Sequence, residues 1–396
     1  MWQRFPFKPT TSLYPADILV VIVAAALPWS TSLPAIFLAL WLVALAPTTD
    51  FDTFRDLMKR PICFLPISFF VLAMVGTVWS SVPWGTRLYS VGPVAKFLVV
   101  PLLIYHFQRS TRGPWVLLAF LISCTCLMIY SWVVAIDPRL ALKPDAGYGV
   151  PLKNYIDQSQ EFALCAVGIL YVIVEASRAR QAMKALVLSA IALAFFANMA
   201  FVVISRTALV TIPLMIAAFA VLHLSRRGLV IAAGALAVLI LAAWTASPTL
   251  RARTATIISQ YHDYAASNDP TSVGLRLEFW RKSLHFWSEA PLIGHGTGSV
   301  KSLFAKSAVG QTGASAEVIA NPHNQSLYTA VQWGTLGVLI LYAMWLTHLL
   351  LFRGTTLAHW VGLLVVVQNI LTSTFNSHLF DFVPGWIYVL GVGVAG

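Results

Sequence analysis

Three side chains combine a residue type with a setting suited to phosphate binding or proton transfer: Arg206, Arg276 and His323. Arg206 lies in "FVVISRTALVTIP" (201–213), inside an apolar run from 186 to 224. As one helix that run would be about 58 Å long, about twice the hydrocarbon thickness, so the chain must turn back at Ser205 and Arg206. A guanidinium at the head of a helix, where amide dipoles add positive potential, suits a phosphate; the plainer role is an arginine snorkelling at the membrane interface. Arg276 stands close to Arg281 and Lys282 in "VGLRLEFWRKSLHFWSEAPLIGHGTGSV" (273–300), where spacing alone slightly favours a solvated face touching lipid head groups. Arg251 and Arg253 share that ambiguity.

His323 belongs to "NPHNQSLYTAVQWGTLGVL" (321–339). Asn321 is a good N-cap and Pro322 suits the first helical position, so His323 and Asn324 are expected in the first turn of a helix. A helix N-terminus disfavours added positive charge, which keeps an imidazole neutral and able to accept a proton near pH 7. The alternative is a histidine that merely completes a polar cap.

Other patterns carry less. "GHGTG" (294–298) has no strand before it and no GK[ST] after it, so a tight turn is expected rather than a phosphate cradle. "DFD" (Asp50 to Asp52) has metal-binding spacing but sits beside Arg55 and Lys59 as a solvated connector, and Asp381 in "NSHLFDFVPGW" has the option of orienting a histidine or hydroxyl. There is no HExxH, CxxC, GxSxG or P-loop pattern, and Asp263, Asp269, Glu278, Glu289 and Glu317 are scattered, so neither a metal nor a cofactor is expected.

The elements that must position these residues are membrane helices. With 58% hydrophobic and 10% charged residues among 396, and a mean hydropathy of +0.77, the chain is too apolar for a soluble domain. The expectation is an all-α polytopic membrane protein with about twelve spans, near 16–30, 32–46, 62–79, 94–108, 114–135, 161–176, 186–204, 207–224, 229–246, 324–349, 356–375 and 384–396. The net charge of +11 sits in short connectors, where it sets orientation and meets anionic membrane lipids, so nucleic acid is not an expected partner. Arg4, Lys8, Arg55, Lys59, Arg60, Arg109, Arg112, Arg178, Arg180, Lys184, Arg226, Arg227 and Arg353 mark the inside; the short outside connectors hold only Arg87, Arg139, Lys143, Lys153 and Arg206.

That orientation puts the one long loop, 247–322, outside, and a loop of this length is normally functional. Within it Leu275, Leu277, Trp280, Leu284 and Trp287 recur at helical spacing, as expected of an amphipathic helix on the membrane surface, before Pro291 and the glycines break it. Two regions result: N-terminal membrane helices over 1–185 and a C-terminal membrane region over 186–396 that contains the loop. Cys63, Cys124, Cys126 and Cys165 lie in apolar blocks and are read as packing residues; the leading segment with Pro6, Pro9 and Pro15 is read as part of a retained anchor. Charged residues deep in spans look almost absent, and polar groups gather at the outer face, which weighs against a transporter or flippase of lipid-linked glycans, the reading of another class.

"SRTAL" opening a span, the long outer loop and "PHNQSLYTAVQWGTLGVL" opening the next span together resemble the O-antigen ligase and polymerase superfamily, over roughly 190–350. The resemblance implies a C-type glycosyltransferase of the bacterial inner membrane, with its active site facing the periplasm and an undecaprenyl-diphosphate-linked glycan as donor. In the ligase branch the acceptor is lipid A with its core oligosaccharide; in the polymerase branch it is another lipid-linked repeat unit, and a protein hydroxyl is a third option. The late loop and the Pro-His-Asn start lean towards the ligase. Arg206, Arg276 and His323 match the family's two arginines and histidine; Asn324, Arg87, Lys153 and Asp381 are secondary candidates with looser counterparts.

Overall fold

The computed structural model describes residues 13–143, 146–203 and 205–396, without the side chains at 232, 239, 243, 249, 250, 253 and 257. Arg4, Lys8, Pro6, Pro9 and the Arg253 side chain lie outside that range. All regular structure among the described residues is helical. The first half comprises α1 (Tyr14–Ala26), α2 (Ser32–Leu45), α3 (Phe51–Met58), α4 (Pro61–Val75), α5 (Trp84–Ala95), α6 (Val99–Phe107), α7 (Gly113–Ile136), α8 (Tyr155–Gly168) and α9 (Leu170–Arg178). The second comprises α10 (Ala182–Phe201), α11 (Arg206–His223), α12 (Arg226–Ala246), α13 (Pro248–Ser267), α14 (Ser272–Glu289), α15 (Val300–Ser307), α16 (Gln325–Leu351), α17 (Leu357–Thr372) and α18 (Phe382–Ala395).

Among the described residues seven helical units are long and apolar enough to cross a bilayer: Trp84–Phe107, Gly113–Ile136, Tyr155–Arg178, Ala182–Phe201, Arg206–His223, Arg226–Ala246 and Gln325–Leu351. An eighth arises if α2 and α3, bent by 117° at their junction, form one broken span. α1, α4, α17 and α18 are apolar but only 13 to 16 residues long, about 20 to 24 Å at helical rise. Each expected span thus has an apolar helix, but only seven meet the length a span needs. Cys63, Cys124 and Cys165 are buried and Cys126 is exposed, all as free thiols.

Two helical boundaries differ from expectation. The helix expected from 94 starts at Trp84, with an exposed first turn, and the one expected from 161 starts at Tyr155, where polar side chains that looked like connector are absorbed into helical packing. Gln158, Ser159, Gln160 and Glu161 are all buried, and Asn154 caps them by accepting from the amides of Ile156 (3.0 Å) and Asp157 (2.9 Å). Nor are charged groups rare inside the bundle: Lys96 and Glu161 are buried, and Asp17 is buried against His106 (2.9 Å) and Arg112 (2.9 Å). Sequence alone hides Lys96 and Asp17 because their partners come from remote segments, which is what makes such burial tolerable.

The expected loop is substantially helical, comprising α13 to α15. The amphipathic helix is α14, yet its buried face is not the leucine and tryptophan stripe. Phe279 and Phe286 are buried with Phe304 and Val331, while Leu284 is 49% exposed. Lys282, expected on a solvated face, is buried and donates to the Ser315 carbonyl (2.5 Å). α14 therefore packs down onto α16 as well as presenting a face outward.

The glycine run makes the tight turn and does more. α16 is broken at Gly334 (φ 62°, ψ −158°), and the break is filled by residues 291–297. His295 and Gly296 amides donate to the Val331 and Gln332 carbonyls (2.9 and 2.8 Å), while Thr335 donates to the Pro291 carbonyl (2.8 Å). Backbone groups freed by a break in an apolar helix must find such partners. A Cβ at Gly334 would sit on the Leu292 carbonyl, and the backbone conformation itself excludes other residues. Gly334→Ala is expected to cost about 3 kcal/mol or more, seen as a lower thermal midpoint and poor recovery in detergent. An unchanged midpoint would contradict this account of the break.

Candidate active site

The candidate site forms where the segment before α16, the start of α11, the face of α14 and the α17–α18 turn meet. His323 is not in the helical first turn. Its backbone is left-handed (φ 53°), and α16 begins two residues later with Asn324 as its N-cap, accepting from the Leu327 amide at 3.0 Å. The expected cap, Asn321, instead folds back so that its Oδ1 accepts from the His323 amide (2.9 Å) and from the Ser377 hydroxyl (2.7 Å). Two asparagines competed for one cap; Asn324 takes it, and the Asn321 turn pushes the imidazole away from the helix.

That turn delivers His323 to Asn376, with Nδ1 2.7 Å from the amide oxygen. The tautomer follows from the next bond: Asn376 Nδ2 donates to the Asp381 carboxylate (2.9 Å), which fixes the amide so that its Oδ1 faces His323. An amide oxygen only accepts, so Nδ1 carries the proton and Nε2 keeps its lone pair. His378 Nδ1 also approaches Asp381 Oδ2 (3.2 Å), and its Nε2 lies 3.1 Å from Gln160. Lys96 completes the support from below by donating to the Asp381 carbonyl (2.6 Å) at the head of α18.

Burial holds the His323 imidazole below its ordinary range; the Arg276 charge acts in the same direction, and the bond to Asn376 opposes both. Phe279 stacks near its ring at 6.1 Å. Arg276 is half-buried, with burial and the nearby Arg206 charge both lowering its pKa, and Tyr155 opposing. It forms no hydrogen bond or ion pair among the described residues, whereas Arg206 is held by Gln260 (3.2 Å) and Thr256 (3.0 Å) of α13. Two like charges converging with one unpartnered is costly without an anion between them. The sequence candidates Arg206, Arg276 and His323 therefore come together electrostatically.

The secondary candidates divide. Asp381 belongs to the network. Asn324 caps α16 and donates to the Thr374 carbonyl (3.2 Å), tying α16 to the α17–α18 turn. Arg87 is used locally, donating to the Val82 (2.5 Å) and Thr77 (2.8 Å) carbonyls above the Trp84 ring. Lys153 donates to the Leu27 carbonyl beyond α1. Asn376, His378, Gln160 and Asp157 went unassigned in the sequence. With Asn154 and Asp381 they line a polar cavity of about 300 Å³, or brace it from behind in the case of Gln160. The density of polar residues in "FNSHLFD" (375–381) between two apolar helices was the available signal. Among the described residues no three His, Cys, Asp or Glu side chains converge as a metal site does.

At one end of the helical bundle, then, two guanidiniums and an imidazole with a free ring nitrogen face one another, a set of groups able to bind an anion and accept a proton. Residues 191–342 match the family described as O-antigen ligase, a stretch that contains Arg206, Arg276 and His323. Over this stretch, less than half of its length, the chain is similar to the O-antigen ligase family. No curated protein matches the chain.

Protonation of His323 should abolish its role as acceptor. Because its pKa is depressed, transfer is expected to persist as pH falls to the ordinary imidazole value near 6.5 and to decline only below it. Removing the Arg276 charge should move that acid limb upward. An acid limb unmoved in Arg276→Gln, recorded as kcat/KM against pH, would contradict the coupling.

Proposed function

We propose that the chain is an O-antigen ligase that transfers a glycan from undecaprenyl diphosphate to the lipid A-core oligosaccharide at the periplasmic face of the inner membrane. The observation that carries the reading is the pairing of an unpartnered, half-buried Arg276 with a neutral His323 whose free nitrogen is Nε2. An acceptor hydroxyl oxygen attacks the anomeric carbon of the donor and the bond from that carbon to the diphosphate oxygen breaks, inverting the centre. The hydroxyl proton passes to His323 Nε2. The charge on the departing diphosphate is taken up by Arg206 and Arg276, which can each chelate phosphate oxygens in a partly desolvated groove, so the reaction is metal-independent. The polar cavity beside Asn376 receives acceptor hydroxyls, and apolar helices hold the prenyl chain.

Sidedness is open to direct test. A cysteine at Val318, which is 41% exposed at the site end, should react with an impermeant reagent from the periplasmic side; labelling only from the cytoplasm would invert the scheme. A polymerase of the same superfamily shares the donor chemistry. In cells lacking the protein, lipid-linked polymer of normal length accumulates if it is the ligase, and single repeat units accumulate if it is the polymerase. A transporter would form no glycosylated product when donor and acceptor are supplied on one face of a liposome.

A further inference from the structure

At the other end of the bundle a larger cavity, about 510 Å³, opens between α1, α6, α7, α17 and α18. α17 ends and α18 begins at the candidate active site, while Leu357 and Gly396, their far ends, line this cavity. The two sites are therefore separated by the length of a helix, on the order of 20 Å. The interior is apolar, with Leu117, Phe120, Leu164 and Val361 among its walls. Its mouth has the opposite character. Arg109, half-buried there, stacks on Tyr105 at 3.9 Å and donates to the Thr48 (2.7 Å) and Tyr105 (3.3 Å) carbonyls, with the Asp50 carboxylate near enough to be felt and no hydrogen-bond partner for Nη2 among the described residues. The amide ends of α7 and α17, at Gly113 and Leu357, converge on the same mouth.

We infer that this cavity binds one anionic phospholipid, with an acyl chain among the apolar walls and the phosphate at Arg109. A guanidinium at the mouth of an apolar cavity suits a phosphate, which it can meet with charge-assisted hydrogen bonds. The convergent helix ends add positive potential at the same point. A purely apolar occupant, such as the far end of a prenyl chain, would make no use of the Arg109 charge and the two helix ends at the mouth, so charge complementarity favours the phospholipid.

The test is native mass spectrometry of the delipidated full-length protein titrated with phosphatidylglycerol, phosphatidylcholine or undecaprenyl phosphate, alongside Arg109→Gln and Leu117→Trp. One saturable phosphatidylglycerol is expected, weakened about tenfold by loss of the charge-assisted bond in Arg109→Gln and lost in Leu117→Trp, whose added bulk fills the chain site. Both variants should keep the wild-type melting midpoint and glycan transfer. Equal binding of phosphatidylcholine, or equal binding by both variants, would reduce the site to ordinary annular lipid. Preferential undecaprenyl phosphate binding would make it a prenyl cradle. Inorganic phosphate that competes as well as the lipid would remove any role for the chain. Each of these outcomes overturns the inference.

Discussion

His323→Ala is expected to lower glycan transfer by about 10² to 10⁴, the range over which a positioned proton acceptor contributes. The expectation rests on a chain of bonds rather than on the histidine alone. Asp381 orients the Asn376 amide, the amide oxygen takes Nδ1–H of His323, and Nε2 is left basic. His323→Asn separates two roles, since an amide can hold a hydroxyl but cannot accept its proton at neutral pH. It should be nearly as impaired as alanine if proton transfer matters, and largely active if positioning alone does. Asn376→Ala, which frees the tautomer without deleting the base, should lose less than His323→Ala and show an altered acid limb.

The second large effect is expected at Arg276. Removing a preorganised donor to developing charge costs about 10² to 10³ in kcat, and Arg276→Ala should fall in that range. Lysine keeps the charge but not the bidentate fork, so Arg276→Lys should recover only part of the rate. Arg206→Ala should lose rate as well, with a further structural component because Arg206 ties α11 to Gln260 and Thr256 of α13. Arg87, engaged with the Val82 and Thr77 carbonyls, should affect stability rather than chemistry when replaced by alanine. A loss of kcat at unchanged melting midpoint would contradict that assignment.

Much of this arrangement was legible before any coordinates, because apolar blocks, a reversed helix at Arg206 and a histidine at a helix entrance are local signals. The hidden parts are non-local. Lys96 looks foreign to an apolar span until the Asp381 and Phe380 carbonyls come to it. The network behind His323 draws on residues from 160 to 381, which no spacing rule links. α14 misled for a different reason: its tryptophans and leucines form a stripe, but Phe279 and Phe286 on another face meet Phe304 and set the packing. At residues 321–324 the sequence points to Asn321 as the cap, whereas Asn324 caps the helix and Asn321 is diverted to the His323 amide and the Ser377 hydroxyl.

The central claim is that Arg206, Arg276 and His323 carry the transfer between lipid-linked donor and acceptor. It is tested most directly by reconstituting the full chain in liposomes with undecaprenyl-diphosphate glycan and lipid A-core on one face, in EDTA, and comparing initial rates of wild type with His323→Ala, Arg206→Ala and Arg276→Ala. The account predicts wild-type transfer undiminished by the chelator and all three variants reduced by about 10² or more while still folded. Full activity in the variants, or transfer that depends on an added metal, would contradict it.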